Sequence, residues 1–191
     1  PAAAGLGFLA EPILSVIFQR GAFTAETARM ASYSLMAYAF GLLSFMLVKV
    51  LAPGYYSRQD TKTPVKIGIW CMAANMLFNL IFAIPYGYVG LAIATSLSAT
   101  LNAALLYIGL SRQKVYVVSR LTLGFVARVM FSTCAMVAAI LWMQQGVDFT
   151  DLALRDKIVS LTLTILLAVA VFGGCLFSFG IRVRHFKSKA F

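Results

Sequence analysis

Two cations and one acid interrupt long apolar stretches of this sequence, and each could do chemistry there. Lys49 lies in the run Leu47-Val-Lys-Val-Leu51, and Glu11 and Arg128 lie in similar runs. A long cationic side chain in such surroundings either extends to a nearby polar surface or faces a polar cavity or an anionic ligand. Both interpretations stay open. The second makes Lys49 and Arg128 candidate contacts for a phosphate-bearing headgroup.

A second polar set combines amides and hydroxyls. Asn75 and Asn79 are four residues apart and therefore share one face of a helix. The next predicted helix adds Thr95, Ser98, Thr100 and Asn102. These groups either make hydrogen bonds between helices or form a small cation site of amide and hydroxyl oxygens. With no carboxylate in the set, such a cation site would be weak.

Nothing in the sequence indicates an enzyme or a metal site. A Ser-His-Asp triad is excluded because the single histidine, His185, lies in a basic tail. The three cysteines, Cys71, Cys134 and Cys175, stand singly in apolar runs. We therefore expect them to be small buried hydrophobes, without a disulfide and without a metal.

The elements that carry these residues are transmembrane helices. The chain has 191 residues, of which 61% are hydrophobic and 12% charged, and its mean hydropathy is +0.89. Soluble domains have about 45–50% apolar and about 25% charged residues, so most of this chain is solvated by lipid. The net charge of +10 could suggest nucleic acid, but its placement favours a membrane surface and no nucleic-acid partner.

Runs of about 20 apolar residues predict an all-α polytopic membrane protein with six transmembrane helices. They cover residues 2–18, 24–56, 64–84, 89–110, 121–143 and 157–181. Glu11-Pro12 interrupts the first helix, Thr63 is the predicted cap before Pro64, and residues 85–87 form a tight hairpin turn. A stripe of small residues allows another helix to approach closely: Ala92, Ser96, Ala99 and Ala103.

The loops predict orientation, since cytoplasmic loops carry an excess of lysine and arginine. One face has ten cations and one acid, Asp60: Arg58, Lys62, Lys66, Arg112, Lys114, Arg120, Arg182, Arg184, Lys187 and Lys189. On the other face four cations, Arg20, Arg29, Arg155 and Lys157, balance four acids, Glu26, Asp148, Asp151 and Asp156. We therefore expect both ends of the chain to be cytoplasmic.

Residues 48–66 resemble the most characteristic stretch of the MurJ (MviN) family, and residues 18–24 resemble its external turn. This family comprises the lipid II flippases of bacterial peptidoglycan synthesis, in the multidrug/oligosaccharidyl-lipid/polysaccharide exporter superfamily. The resemblance implies the last six of fourteen spanning helices. Residues 1–112 would be the remainder of the second transporter lobe. Residues 113–191 would be two additional helices and a basic tail. The start at Pro1 rather than Met agrees with a piece lacking upstream sequence.

The resemblance also implies a function. The chain would be the C-terminal part of a flippase that moves lipid II from the cytoplasmic to the outer leaflet of the bacterial inner membrane by alternating access. Its partners would be lipid II, membrane phospholipids, the missing N-terminal lobe and, in addition, cell-wall synthesis proteins. Some members bind sodium through an Asn, an Asp and a Thr, at positions matching Asn75, Asn79 and Thr95. Because Asn79 replaces the acid, we expect no cofactor and no sodium coupling.

Two other functions stay open. A cation-coupled exporter of drugs or lipid-linked oligosaccharides would need an acid embedded in the membrane, and Glu11 is the one candidate. The chain could also be a non-transporting scaffold for cell-wall enzymes. In that case the polar helix faces and the cations Lys49 and Arg128 would have no role in binding a substrate. A build-up of lipid II in the cytoplasmic leaflet after depletion of the complete protein is expected for the flippase alone.

Overall fold

The computed structural model describes residues 1–18, 25–112, 120–145 and 154–179, and this part of the chain is helical. Its six helices are α1 (Ala2–Phe8), α2 (Ala10–Phe18), α3 (Ala25–Tyr56), α4 (Lys62–Arg112), α5 (Arg120–Gln144) and α6 (Leu154–Ser178). Helices α3 to α6 each contain a segment long and apolar enough to cross a membrane. The predicted all-α membrane fold is confirmed. The first predicted helix is divided into α1 and α2, and the third and fourth predicted helices lie within α4.

The helices group into two compact units. Helices α1, α2, α5 and α6 make one unit, and α3 with α4 makes the other. The predicted domains, 1–112 and 113–191, were divided by their role in the transporter and not by packing. That division stays a prediction.

Helix α4 is a hairpin, as residues 85–87 predict. Gly87 has φ 56° and ψ −131°, a non-helical conformation in which a side chain would be strained. Ser98 donates a hydrogen bond to the carbonyl of Cys71 at 2.7 Å, so the two halves run side by side in opposite directions. We call residues 62–86 the first arm and residues 88–112 the second arm.

Gly90 allows the arms to close tightly just after the turn. A Cβ at this position would collide with the carbonyl oxygen of Phe82.

Helix α3 runs parallel to the second arm and is joined to it by polar contacts. Ser96 donates to Ala37 O at 2.6 Å, the Ser44 and Thr100 hydroxyls are 2.9 Å apart, and Tyr55 donates to Leu106 O at 2.8 Å. The predicted small-residue stripe is buried on the second arm: Ala92, Ser96, Ala99 and Ala103. Small side chains permit this close approach, which brings hydroxyls within reach of backbone carbonyls.

The connection from α3 to α4 is closed by its own backbone. Asp60 N–H donates to Tyr55 O at 3.2 Å and Gln59 N–H to Tyr56 O at 3.0 Å. With Gln59 at φ 59°, these are the two bonds of a Schellman motif, here with glutamine where glycine is usual.

The cap of α4 is Asp60, so the predicted cap at Thr63 is wrong. The helix begins at Lys62, and the Asp60 carboxylate accepts a hydrogen bond from Thr63 N–H at 3.0 Å. Hydrogen bonds from the Thr63 hydroxyl and N–H lower the pKa of Asp60. An ionised side chain fits better here because the first turn presents free N–H groups.

The first predicted helix is interrupted, but earlier than Glu11-Pro12. It forms two short helices separated at Leu9, whose φ and ψ are −99° and 8°. Pro12 has no N–H for the carbonyl of Phe8, four residues before it. Gln144 of α5 supplies the missing donor, with its Nε2 3.1 Å from Phe8 O.

The core of this first unit is apolar. Leu9, Met136, Ile140 and Ala168 form its buried cluster. Two buried hydroxyls of this unit bond within their own helices: Ser132 donates to Arg128 O at 2.9 Å, and Thr164 donates to Ser160 O at 2.8 Å.

Candidate functional site

A cleft of about 430 Å³ lies between α3 and the two arms of α4. One stripe of each helix lines it, at the spacing of successive helical turns. Its polar lining residues are Lys49, Asn75, Thr95, Ser98 and Asn102, with Phe45 and Met72 among the apolar ones. The structure therefore brings together three of the five predicted site residues. Their role in binding stays a prediction.

Lys49 supplies the formal charge of the cleft. Its side chain is exposed, and the structure shows no ion pair for it among the described residues. It lies seven residues before the end of α3 at Tyr56, about 10 Å along the axis at about 1.5 Å per residue. Pro53 has no N–H to bond the Lys49 carbonyl, so the helix ladder lacks one bond here.

The two predicted asparagines take different positions. Asn75 lines the cleft, whereas Asn79 is not one of the residues lining it. Asn79 Nδ2 donates to Asn75 Oδ1 at 3.0 Å. The Oδ1 of Asn79 is buried without a hydrogen-bond partner. Asn79 therefore contacts the cleft through Asn75.

The Thr95 and Ser98 hydroxyls of the second arm already donate hydrogen bonds within the protein. Thr95 donates to Leu91 O at 2.8 Å, and Ser98 donates to Cys71 O. Both oxygens can still accept hydrogen bonds from a ligand. For Ser98 the interpretation as a bond between helices is correct, while Thr95 bonds within its own helix.

Asn102 belongs to the predicted polar set, although the family resemblance does not single it out. It follows Thr95, Ser98 and Ala99 at helical spacing and completes their stripe in the cleft. That spacing was visible in the sequence, but which face of the second arm turns toward α3 was not.

Arg128 belongs to the other unit. It lies on α5 with an exposed side chain, and its backbone carbonyl accepts a hydrogen bond from Ser132 at 2.9 Å. Arg128 is not one of the residues lining this cleft. Glu11, on α2, is partly buried in the same unit as Arg128.

The cysteines are free, and one differs from its prediction. Cys71 is buried and lines the cleft, and Cys175 is partly buried. Cys134 is exposed, so it was wrongly predicted to be buried. Within the described ranges, no three His, Cys, Asp or Glu residues come together as a metal site.

Three basic residues of the second unit lie at one end. Helix α3 ends at Tyr56 and runs parallel to the second arm, which ends at Arg112. Arg58, Lys62 and Arg112 consequently lie at the same end of the α3–α4 bundle. This arrangement agrees with the grouping of cations expected from the loops.

Comparison with known proteins identifies the family. A family model described as lipid II flippase MurJ matches residues 1–155. A probable lipid II flippase MurJ of Vibrio cholerae is 51% identical over 98% of this chain, and its counterpart in Haemophilus influenzae is 48% identical over 99%. The lipid II flippase MurJ of Burkholderia cenocepacia is 32% identical over the whole chain.

A solved structure of lipid II flippase MurJ in an inward closed conformation has the same fold. It superposes with a TM-score of 0.69 over 93% of this chain, at 24% sequence identity. The chain spans 36% of the Vibrio relative and 37% of the Haemophilus relative. With this match over most of its length, the chain is a multi-pass membrane protein that belongs to the MurJ family of lipid II flippases.

Proposed function

We propose that this chain forms part of a flippase that moves lipid II from the cytoplasmic to the outer leaflet by alternating access. The observation that carries the proposal is the cleft between α3 and α4. It places Lys49 beside the amides of Asn75 and Asn102 within membrane-spanning helices. Family membership supports the same reading, since the matched relatives carry this name.

The physical task is to move a charged headgroup through hydrocarbon, where bare charge is costly. A cation and amide donors offset that cost by hydrogen bonding to phosphate oxygens, and such charge-assisted bonds are the stronger kind. The lining includes no carboxylate, which would repel the anion. The cleft therefore fits one portion of a phosphate-bearing path, with the remainder supplied elsewhere in the complete protein.

Transport through this cleft does not require sodium. Asn75 Oδ1 accepts a hydrogen bond from Asn79 Nδ2, so one of its two lone pairs is occupied and the oxygen is held toward Asn79. Sodium prefers a site with an anionic oxygen, and here the lining residues supply a lysine instead. We expect equal transport when choline replaces sodium in the buffer.

The protein acts by transport rather than by catalysis, in the bacterial inner membrane, with the basic end of the α3–α4 bundle in the cytosol. Lipid II and the surrounding phospholipids are its partners, together with cell-wall synthesis proteins. Labelling Ser57→Cys from one side of the membrane tests the orientation. Reaction from the cytoplasmic side alone supports it, and reaction from outside contradicts it.

The function is tested in the complete flippase that contains this chain, expressed in cells depleted of their own flippase. Lys49→Met should reduce export of lipid II about tenfold or more, because one strong anion contact is lost. Lys49→Arg keeps the charge and should retain most activity. Lys62→Met, at the basic end and outside the cleft, is the matched control. Equal export by Lys49→Met and the unchanged protein would overturn the role of the cleft.

A further inference from the structure

We propose that Asn79 sets the charge preference of the cleft by fixing the orientation of the Asn75 amide. Asn79 is a positioning residue, because it acts through Asn75 and does not line the cleft itself. The inference rests on the proposed function, since it concerns the same cleft.

The direction of one hydrogen bond fixes the orientation of the Asn75 amide. An asparagine side chain has an acceptor end, Oδ1, and a donor end, Nδ2. Asn79 Nδ2 donates to Asn75 Oδ1 at 3.0 Å. The oxygen of Asn75 is thereby held toward Asn79, and the Nδ2 hydrogens of Asn75 remain for a ligand in the cleft.

The neighbouring groups make this donor end significant. Lys49 can only donate hydrogen bonds, and its charge is positive. Together with Asn75 Nδ2 it offers a phosphate-type anion two sets of donors from opposite helices, α3 and the first arm. An anion of this kind accepts hydrogen bonds and has no proton to give when fully ionised, so it needs donors.

The acceptor end of the Asn79 amide, Oδ1, makes this side chain unfavourable for stability. Asn79 Oδ1 is buried and has no hydrogen-bond partner. A buried acceptor without a partner is unfavourable, so burial alone would favour an apolar side chain at this position. The hydrogen bond by which Asn79 Nδ2 orients Asn75 provides a physical reason why position 79 has an amide and not an apolar side chain.

A carboxylate at position 79 would reverse the polarity. An ionised aspartate only accepts hydrogen bonds, so Asn75 would have to turn and donate its Nδ2 to it. Asn75 would then present Oδ1 to the cleft, beside a new negative charge. Amide and carboxylate oxygens are ligands for hard cations, so the cleft would favour a cation over an anion.

The experiment uses the complete protein in detergent, with inorganic pyrophosphate as the anion probe. Binding is measured at equilibrium, and the melting temperature is measured in sodium chloride and in choline chloride. Asn79→Asp should weaken pyrophosphate binding about tenfold or more and make the melting temperature rise with sodium. Asn79→Gln keeps an amide donor and should bind pyrophosphate nearly as well as the unchanged protein. Asn79→Leu removes the donor without adding charge and should give an intermediate loss with no sodium response.

Pyrophosphate binding by Asn79→Asp or Asn79→Leu equal to that of the unchanged protein would overturn the positioning role. If Lys49→Met lowers both pyrophosphate binding and export while the Asn79 variants change neither, the proposed function survives and this inference fails. If the unchanged protein does not bind pyrophosphate and Lys49→Met exports normally, the cleft is not a headgroup site and both fail.

Discussion

The two units of this chain are held together by different forces. In the α3–α4 unit, side-chain hydroxyls cross from one helix to a backbone carbonyl or hydroxyl of another, at Ser96, Thr100, Ser98 and Tyr55. In the unit of α1, α2, α5 and α6, the buried cluster is apolar, and the buried hydroxyls of Ser132 and Thr164 bond within their own helices. This unit also has a side-chain bond between helices, from Gln144 to the Phe8 carbonyl. Buried hydroxyls that join one helix to another are found in the unit that contains the polar cleft.

The difference shows how a cleft can be positioned in a membrane. Lipid is as apolar as leucine, so apolar side chains alone give little preference for one register of two helices. A hydrogen bond between a side chain and a particular carbonyl is made in one register only. The stripes that carry Lys49, Asn75 and Asn102 are thus aligned by the Ser98–Cys71 bond within the cleft and by the bonds of Ser96, Thr100 and Tyr55 outside it.

The largest expected effect breaks the hairpin of α4. Gly90→Ala places a Cβ against the carbonyl of Phe82, and backbone cannot move as a flexible side chain can. We expect a loss of about 3 kcal/mol in the free energy of unfolding, measured by denaturation in detergent. Gly173→Ala, on α6, is the matched control because a Cβ there meets nothing within 4 Å. That control should be neutral or stabilising by up to about 1 kcal/mol. Equal losses at the two positions would contradict the close approach of the arms.

A smaller effect is expected from one bond between helices. Tyr55 is fully buried and donates to Leu106 O, so Tyr55→Phe should cost about 1.5 kcal/mol. Its neighbour Tyr56 is 51% exposed, and Tyr56→Phe should cost almost nothing. Unfolding of both variants in the same detergent gives the comparison. No difference between them would show that polar contacts do not fix the register of α3.

The corresponding bond in the first unit is expected to matter less. Gln144→Leu leaves the carbonyl of Phe8 without a donor and should cost about 1 kcal/mol. Gln145→Leu, at the next position, is the control. Thermal unfolding of the two variants measures the difference. A loss larger than that of Tyr55→Phe would show that the bond between helices contributes more stability in the first unit than in the α3–α4 unit.

The smallest effect concerns pH at the α3–α4 connection. The hydrogen bonds from Thr63 lower the folded-state pKa of Asp60, so its contribution to stability is present above its unfolded pKa, about 3.9. This contribution is lost as the pH falls through the folded-state pKa. The melting temperature of the unchanged protein should therefore fall more steeply below about pH 4 than that of Asp60→Asn. Parallel curves of melting temperature against pH for the two proteins would contradict the role of ionised Asp60 as a helix cap.

The sequence predicted the helices because apolar length and turn residues are local properties. The hairpin at residues 85–87 and the extent of α3 and α5 followed from them. The break at Leu9 lies less than one turn before Pro12, whose missing N–H leaves the Phe8 carbonyl without a helical donor. That Gln144, 136 residues away in sequence, supplies the replacement donor was not predictable, because the contact is not local.

The site was partly predictable for a similar reason. The spacing of Asn75 and Asn79 placed both on one face, but the cleft ends between them because of how three helices converge. Asn102 was in the predicted polar set, but its place in the cleft depends on which face of the second arm turns toward α3. Arg128 was grouped with Lys49 by chemistry, whereas packing places the two residues in different units.

The most direct test of the account asks whether a lipid-linked headgroup enters the cleft. The complete flippase would carry one reactive cysteine, at Asn102→Cys, with the native cysteines replaced. Its matched control is Tyr107→Cys, on the same arm but outside the lining. The account predicts that lipid II slows thiol labelling at position 102 and leaves labelling at position 107 unchanged. Labelling at position 102 that is equally fast with and without lipid II would contradict it.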